Sequence, residues 1–133
     1  MTNRMKYDHI IIDEKDLKLL KTIITNSHKN KNRNYYSAIK RLRKELEFAT
    51  IISRDAFPDD IVRVNSIVTV QMATNVIRSF QIVPPETSNV IQDKLSILSP
   101  IGLALVGCAI DDEISGQFSS TITKLKILKV LQN

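Results

Sequence analysis

The side chains best suited to chemistry in this chain are few, and each set points to a different class of reaction. Asp111, Asp112 and Glu113 are consecutive carboxylates. Paired hard oxygens of this kind can hold a cation weakly, although three acids in one turn are expected to be surface structure. His9 and His28 are separated by most of a helix and lack the Cys or carboxylate pattern that makes a metal site specific. Ser99 has no base in a recognisable triad motif, and Gly102, Gly107 and Gly116 form no phosphate-cradling loop. Lys29, Lys31 and Arg33, followed by Lys40, Arg41, Arg43 and Lys44, make up a dense basic run. Such a run either keeps a loop solvated or contacts acidic protein or nucleic acid phosphate. The expectation is a non-enzyme with no catalytic residue, no metal and no cofactor.

The basic run is part of a wider asymmetry. The net charge is +5. Residues 1–54 hold 13 Lys and Arg against 6 Asp and Glu, whereas residues 55–133 hold 6 against 8. No acid lies between Leu17 and Lys44. A split of this kind suggests two regions with different tasks, 1–54 and 55–133.

The elements that position these residues can be read from hydrophobic spacing. A chain of 133 residues suits one ordinary domain or a small domain with an appendage. Ile10, Ile11 and Ile12 are β-branched and suit a short strand. Asp13 then caps a helix whose first turn holds Glu14 and Asp16, favourable at its positive end. Leu17, Leu20, Ile23 and Ile24 form one helical stripe, and Tyr35, Ala38, Ile39, Leu42, Leu46 and Ala49 form a second. The polar run 26–34 between them predicts a turn, so the two helices form a short antiparallel hairpin of about 20 to 24 Å at 1.5 Å per residue.

Ser53, Asp55, Pro58, Asp59 and Asp60 break the pattern and mark a linker. Beyond it the spacing predicts a hairpin with strands around Ile67–Met72 and Val76–Val83, another strand at Leu95–Leu98, and a final antiparallel pair at Glu113–Phe118 and Thr121–Leu131. In that last strand Lys124 and Lys126 share a parity that Lys129 does not, which predicts a bulge near Leu128. Between these strands Ser99 can cap a short helix, Pro100 suits its first position, and Gly107 can stop it in the left-handed conformation. The fold class expected is α+β, an amino-terminal helical hairpin followed by an antiparallel sheet wrapped on one short helix.

The single Cys108 sits in an apolar run and reads as a buried small hydrophobe. One cysteine allows no disulfide within the chain, which fits a reducing cytoplasm. The apolar runs at Ile10–Ile12 and Ile101–Ile110 are too short to span a bilayer, so no membrane association is expected.

Two separated motifs resemble the GreA/GreB family of transcription elongation factors. K-L-S-I-L-S-P-I-G-L-A-L-V-G-C-A-I-D-D-E, from Lys94 to Glu113, is similar to the family signature in which S-P-I/L-G-x-A-L precedes an acidic turn. F-P-D-D-I-V-R-V-N-S-I-V-T-V, from Phe57 to Val70, resembles the M-P-x-D-V-V-x-M-N-S-x-V lead into the sheet of the family's Rnk branch, and I-I-I-D resembles that branch's first strand. With its short hairpin the chain resembles Rnk most. The resemblance implies an FKBP-like carboxy-terminal fold that binds bacterial RNA polymerase at the secondary-channel rim helices of the largest subunit. It places Leu98, Ser99, Pro100, Ile101 and Gly102 in that contact, with Leu98 standing where GreA and GreB carry a polar residue.

In GreA and GreB, acidic residues at the tip of a long coiled coil help hold magnesium and the attacking water for transcript cleavage. Here the corresponding tip reads H-K-N-K-N-R, from His28 to Arg33. Cationic groups repel a metal ion, and the arm is short. The expectation is therefore a polymerase-binding regulator without cleavage activity, with nucleic acid contact through Lys29, Lys31 and Arg33. The alternatives are a stand-alone nucleic-acid-binding module using the basic hairpin, or an FKBP-like peptidyl-prolyl isomerase. The second is disfavoured because residues 55–133 hold no Trp and only Phe57, Phe80 and Phe118 to line a proline pocket.

Overall fold

A computed structural model describes residues 9–26, 33–72, 75–117 and 122–132. Strand β1 (Ile11–Ile12) leads into α1 (Glu14–Asn26), followed by α2 (Arg33–Glu47) and β2 (Thr50–Ile51). The rest comprises β3 (Ile67–Met72), β4 (Ile77–Val83), β5 (Lys94–Ser96), α3 (Pro100–Leu105), β6 (Glu113–Gln117) and β7 (Ile122–Leu131), with three short 3-10 turns between them. The protein is α+β. Among the described residues no helix is long and apolar enough to cross a membrane.

Helix α1 starts where the sequence places its cap: Asp13 Oδ1 accepts a hydrogen bond from the amide of Asp16 at 2.8 Å. Asp16 is itself 3% exposed, and its Oδ2 accepts from the amide of Val64 at 3.1 Å, which ties α1 to the lead-in of β3. Strands β1 and β2 form a two-stranded parallel sheet, with Ile11 opposite Thr50 and Ile12 opposite Ile51. The β2 partner was not legible as a strand, because two residues carry no periodicity.

The main sheet has the order β5-β4-β3-β7-β6. Strands β3 and β4, β3 and β7, and β6 and β7 pair antiparallel, but β4 and β5 pair parallel. The wholly antiparallel sheet expected from sequence is corrected at this edge. The third segment is also shorter than Leu95–Leu98, because the chain turns immediately after Ser96. Its carbonyl accepts from the amide of Ser99 at 2.9 Å, and its Oγ from the amide of Leu98 at 2.9 Å. The register between β3 and β7 slips between Thr69 and Val70: Thr69 faces Lys129, and Val70 faces Ile127. Leu128 is the extra residue, where the mismatched lysine parity places a bulge. Phe118, Thr121 and the turn between them lie outside the described residues.

One apolar core joins both halves of the chain. Leu20, Ile23, Ile39 and Leu42 from the helices cluster with Val68, Phe80, Leu103, Leu105, Leu125 and Ile127. The N-S pair of the Phe57–Val70 motif belongs to this framework. Asn65 takes φ 78, and fully buried Ser66 donates through Oγ to Gln132 Oε1 at 2.8 Å while accepting from the amide of Arg63. Gln132 in turn donates to the carbonyl of Ile61 at 2.7 Å, closing the base of the sheet.

Candidate functional site

The segment from Ser96 to Gly107 is built almost entirely from its own short-range bonds. Ser99 has φ −67 and ψ 152, and its Oγ accepts from the amide of Gly102 at 3.0 Å. The same hydroxyl donates to the carbonyl of Ser96 at 2.7 Å. One side chain thus caps α3 and fastens it to the end of β5. Pro100 occupies the first helical position, where the lost N–H has no partner to miss. Gly107 follows the helix at φ 84 and donates to the carbonyl of Val62 at 2.9 Å. A Cβ there would also meet Cβ of Ile10 at 2.8 Å, so the left-handed turn and the close approach both require glycine.

Of the five residues the resemblance singles out, Leu98, Ser99, Pro100 and Ile101 are half-buried, while Gly102 is buried. Leu98 and Ile101 rest against the core and expose only part of their surfaces. Gly102 therefore acts by letting backbone approach, and the other four form the accessible rim of the turn. None of these five residues carries an acidic, basic or imidazole side chain.

The neighbouring acidic turn keeps its expected surface role at Asp111 but departs from it at Asp112. Asp112 is 1% exposed, and its Oδ2 accepts from the amide of Ala109 at 2.7 Å. The backbone of Asp112 also accepts from Ile127 at 3.0 Å, and Asp111 donates back to Ile127 at 2.8 Å with φ 75. The turn is thus an internal brace between α3 and β7. Asp111 itself stays exposed, and the half-buried Glu113 forms an ion pair with Lys124 at 2.9 Å.

The basic run is also divided by the fold. Lys29 and Lys31 lie outside the described residues, as does the turn 27–32, and Arg33 is described only as the first residue of α2. Lys40, Arg43 and Lys44 are exposed. Arg41 instead turns toward the sheet: its Nη1 donates to the carbonyl of Ser115 at 3.4 Å, and its Nε lies 3.9 Å from Glu45. The expectation that Arg41 joins the surface stripe is corrected, because α2 packs on α3 and this brings Arg41 within reach of the Ser115 carbonyl on β6. Burial raises the Glu45 carboxyl above its ordinary value, with Arg41 pulling the other way. Cys108 lies close by, 2% exposed, and burial pushes its thiol well above the usual range, assisted by Glu45 and Asp112.

His9 stacks on Phe48 with centroids 5.9 Å apart, and His28 lies outside the described residues. Among the described residues no three metal-ligating groups gather. Phe80 sits in the main core, whereas Phe57 belongs to a separate small cluster under Arg63, so the two line no common proline pocket. A cleft of about 460 Å³ lies between α1 and β2, lined by Asp13, Glu14, Lys15, Ile51, Ile52 and Ser53, with no aromatic wall.

Comparison with known proteins converges on one family. A family model described as "Transcription elongation factor, GreA/GreB, C-term" matches residues 57–132, more than half of the chain. The chain is 27% identical over 106 residues to transcription elongation factor GreA of Syntrophus aciditrophicus, covering 79% of this chain and 66% of that protein. It is 32% identical over 103 residues to GreA of Alkaliphilus oremlandii, covering 77% and 65%. The match thus spans a little under two thirds of these relatives' length. A GreA/GreB elongation factor structure from Nitrosomonas europaea aligns with TM-score 0.72 at 24% identity, covering 94% of this chain and 99% of that one. Gfh1 of Thermus aquaticus aligns with TM-score 0.51 at 17% identity over 94% and 99%. These two likenesses bear on the fold alone. The matched segment contains the whole five-stranded sheet and the Ser99-capped platform, and the chain belongs to the GreA/GreB transcription elongation factor family.

Proposed function

We propose that this protein is an RNA polymerase-binding transcription regulator that docks through residues 55–133 at the secondary-channel rim, on the rim helices of the largest subunit. The observation that carries this reading is the Ser99 cap. A single hydroxyl bonded to both Gly102 and Ser96 holds Leu98, Ser99, Pro100 and Ile101 as a rigid, half-exposed turn within the family-matched segment. A preorganised turn loses little conformational freedom on binding, which suits a docking contact. The FKBP-like character of the sheet and the closeness to Rnk belong to the same reading, the latter resting on the I-I-I-D and F-P-D-D-I-V-R-V-N-S motifs.

The reading includes an absence of cleavage activity. The run from Leu17 to Lys44 carries no carboxylate to hold a metal-bound water. Nucleic acid contact through Lys29, Lys31 and Arg33 accompanies docking as a secondary role. Co-purification with core RNA polymerase, followed by displacement with a GreA-type factor, tests the docking. Mutual displacement is expected, and failure to bind polymerase at low salt overturns it. RNA shortening in backtracked complexes tests the second half, where robust stimulation would overturn the absence of cleavage.

A further inference from the structure

The strands carry charge unlike the remainder of residues 55–132. Asp55, Asp59, Asp60, Glu86, Asp93, Asp111 and Asp112 all fall on turns and linkers, and Glu113 is the one acid on β3 to β7. The same strands hold Arg78, Lys94, Lys124, Lys126 and Lys129. Arg78 stands opposite buried Val70, at the margin of the inner face, and pairs with Asp93 at 4.0 Å. The four lysines take the other face. Lys94 is opposite Gln81, Lys126 opposite Gln71 and Glu113, Lys129 opposite Thr69, and Lys124 opposite Ser115. The alternate residues Val68, Val70, Leu125, Ile127 and Val130 are buried. The lysine face is therefore the one turned away from the core.

The bulge at Leu128 creates this arrangement. Lys129 has the wrong parity to accompany Lys124 and Lys126 in a regular strand, and the extra residue rotates it onto their face. The step from Lys124 to Lys126 is two residues along β7, and that from Lys126 to Lys129 equals two residues along β3, from Gln71 to Thr69. Both steps are about 6.8 Å at 3.4 Å per residue. Three ammonium groups thus recur at an even interval, comparable with the through-space step between successive phosphates of one nucleic acid strand. Lys124 is engaged by Glu113, whereas Lys94, Lys126 and Lys129 have no ion pair among the described residues.

We infer that this open sheet face binds the phosphate backbone of single-stranded RNA or DNA without regard to sequence, at a site separate from both the Ser99 platform and the basic arm. The hydroxyls and amides of Thr69, Ser79, Gln71 and Gln81 are held by local hydrogen bonds, giving a flat polar floor beneath the ammonium groups. No aromatic residue occupies the outward positions of the described strands, so these strands offer bases no stacking platform. Its apolar residues flank the lysines: Ile67 and Leu131 in one row, Ile77 at the far margin. An even cationic stripe with no central apolar anchor favours a regular polyanion over a folded acidic protein surface.

The inference does not depend on polymerase docking and is tested without polymerase. Anisotropy of a short fluorescein-labelled oligouridine RNA is measured against salt with the full chain, whose fold is checked by circular dichroism. Wild type is expected to bind at low salt, with log K falling against log salt, each sheet lysine on a phosphate adding roughly −0.7 to the slope beside any share from the arm. Lys126→Gln with Lys129→Gln is expected to weaken binding at least several-fold and make the slope shallower by about 1.4. Lys126→Arg with Lys129→Arg keeps the charge and should keep the binding. Glu113→Gln, which removes the one acid on the face, should tighten it. No binding at low salt, equal binding by the Gln and Arg double variants, loss confined to Lys29→Gln with Lys31→Gln, or equally effective competition by polyglutamate would each overturn the inference.

Discussion

The carbonyl oxygen of Ser96 stands 2.5 Å from the position a Cβ on residue 102 would occupy. That distance is shorter than any comfortable contact, and the obstructing atom is backbone, held by the amide and hydroxyl of Ser99. Gly102→Ala must therefore displace α3 from β5. A destabilisation of about 1–3 kcal/mol is expected, the usual cost of overpacking. Urea denaturation measures it, and polymerase binding should fall in the same variant under conditions where it remains folded.

Asp112→Ala removes the acceptor for the Ala109 amide at a site 1% exposed. An unpaired buried N–H costs about 1–3 kcal/mol, and Asp112→Asn, which retains an oxygen acceptor, should recover much of it. Equal stability of the two variants would show that the carboxylate does not brace this turn.

Glu45 should impose a pH dependence of a definite sign. Its folded carboxyl is raised by burial, so the native state keeps a proton that the unfolded chain has already released. Where the native state binds more protons, stability falls as pH rises. The decline should run from the ordinary carboxylate range up through the raised folded value and then level off. Glu45→Gln should flatten that part of a stability profile recorded by urea midpoint against pH. An unchanged profile would remove Glu45 as its source.

Leu42→Ala tests whether the helices and the sheet form one cooperative unit. Leu42 is 1% exposed and clusters with Leu103 and Ile127 across the two halves of the chain. A loss of about 2–5 kcal/mol is expected. Hydrogen exchange should show the amides of α2 and β7 losing protection together, because they share a core. Loss confined to α2 would mean that the amino-terminal region unfolds by itself.

Cys108 should resist thiol reagents in the native protein. It is 2% exposed, its Sγ lies 3.5 Å from the carbonyl of Ala104, and its thiol is held protonated by burial and by nearby carboxylates. Reaction with a disulfide reagent is expected to be slower than in urea by at least on the order of a hundredfold, and to follow opening of the fold. Equally fast reaction in buffer would mean that α3 opens readily.

Several features were already determined by neighbouring residues. Asp13 with the following helical stripe set the start of α1, Ser99 and Pro100 set the start of α3, and Gly107 supplied its left-handed stop. The parity of Lys124, Lys126 and Lys129 placed the bulge at Leu128. These are preferences of a few contiguous side chains for particular backbone angles or faces, so they survive without knowledge of the fold. Only the tertiary structure decided the parallel pairing of β4 with β5, the joining of β1 to β2, the burial of Asp112 and the inward turn of Arg41. Each depends on which distant segment arrives alongside. Hydrogen bonding and desolvation are set by that meeting, and no local spacing encodes it.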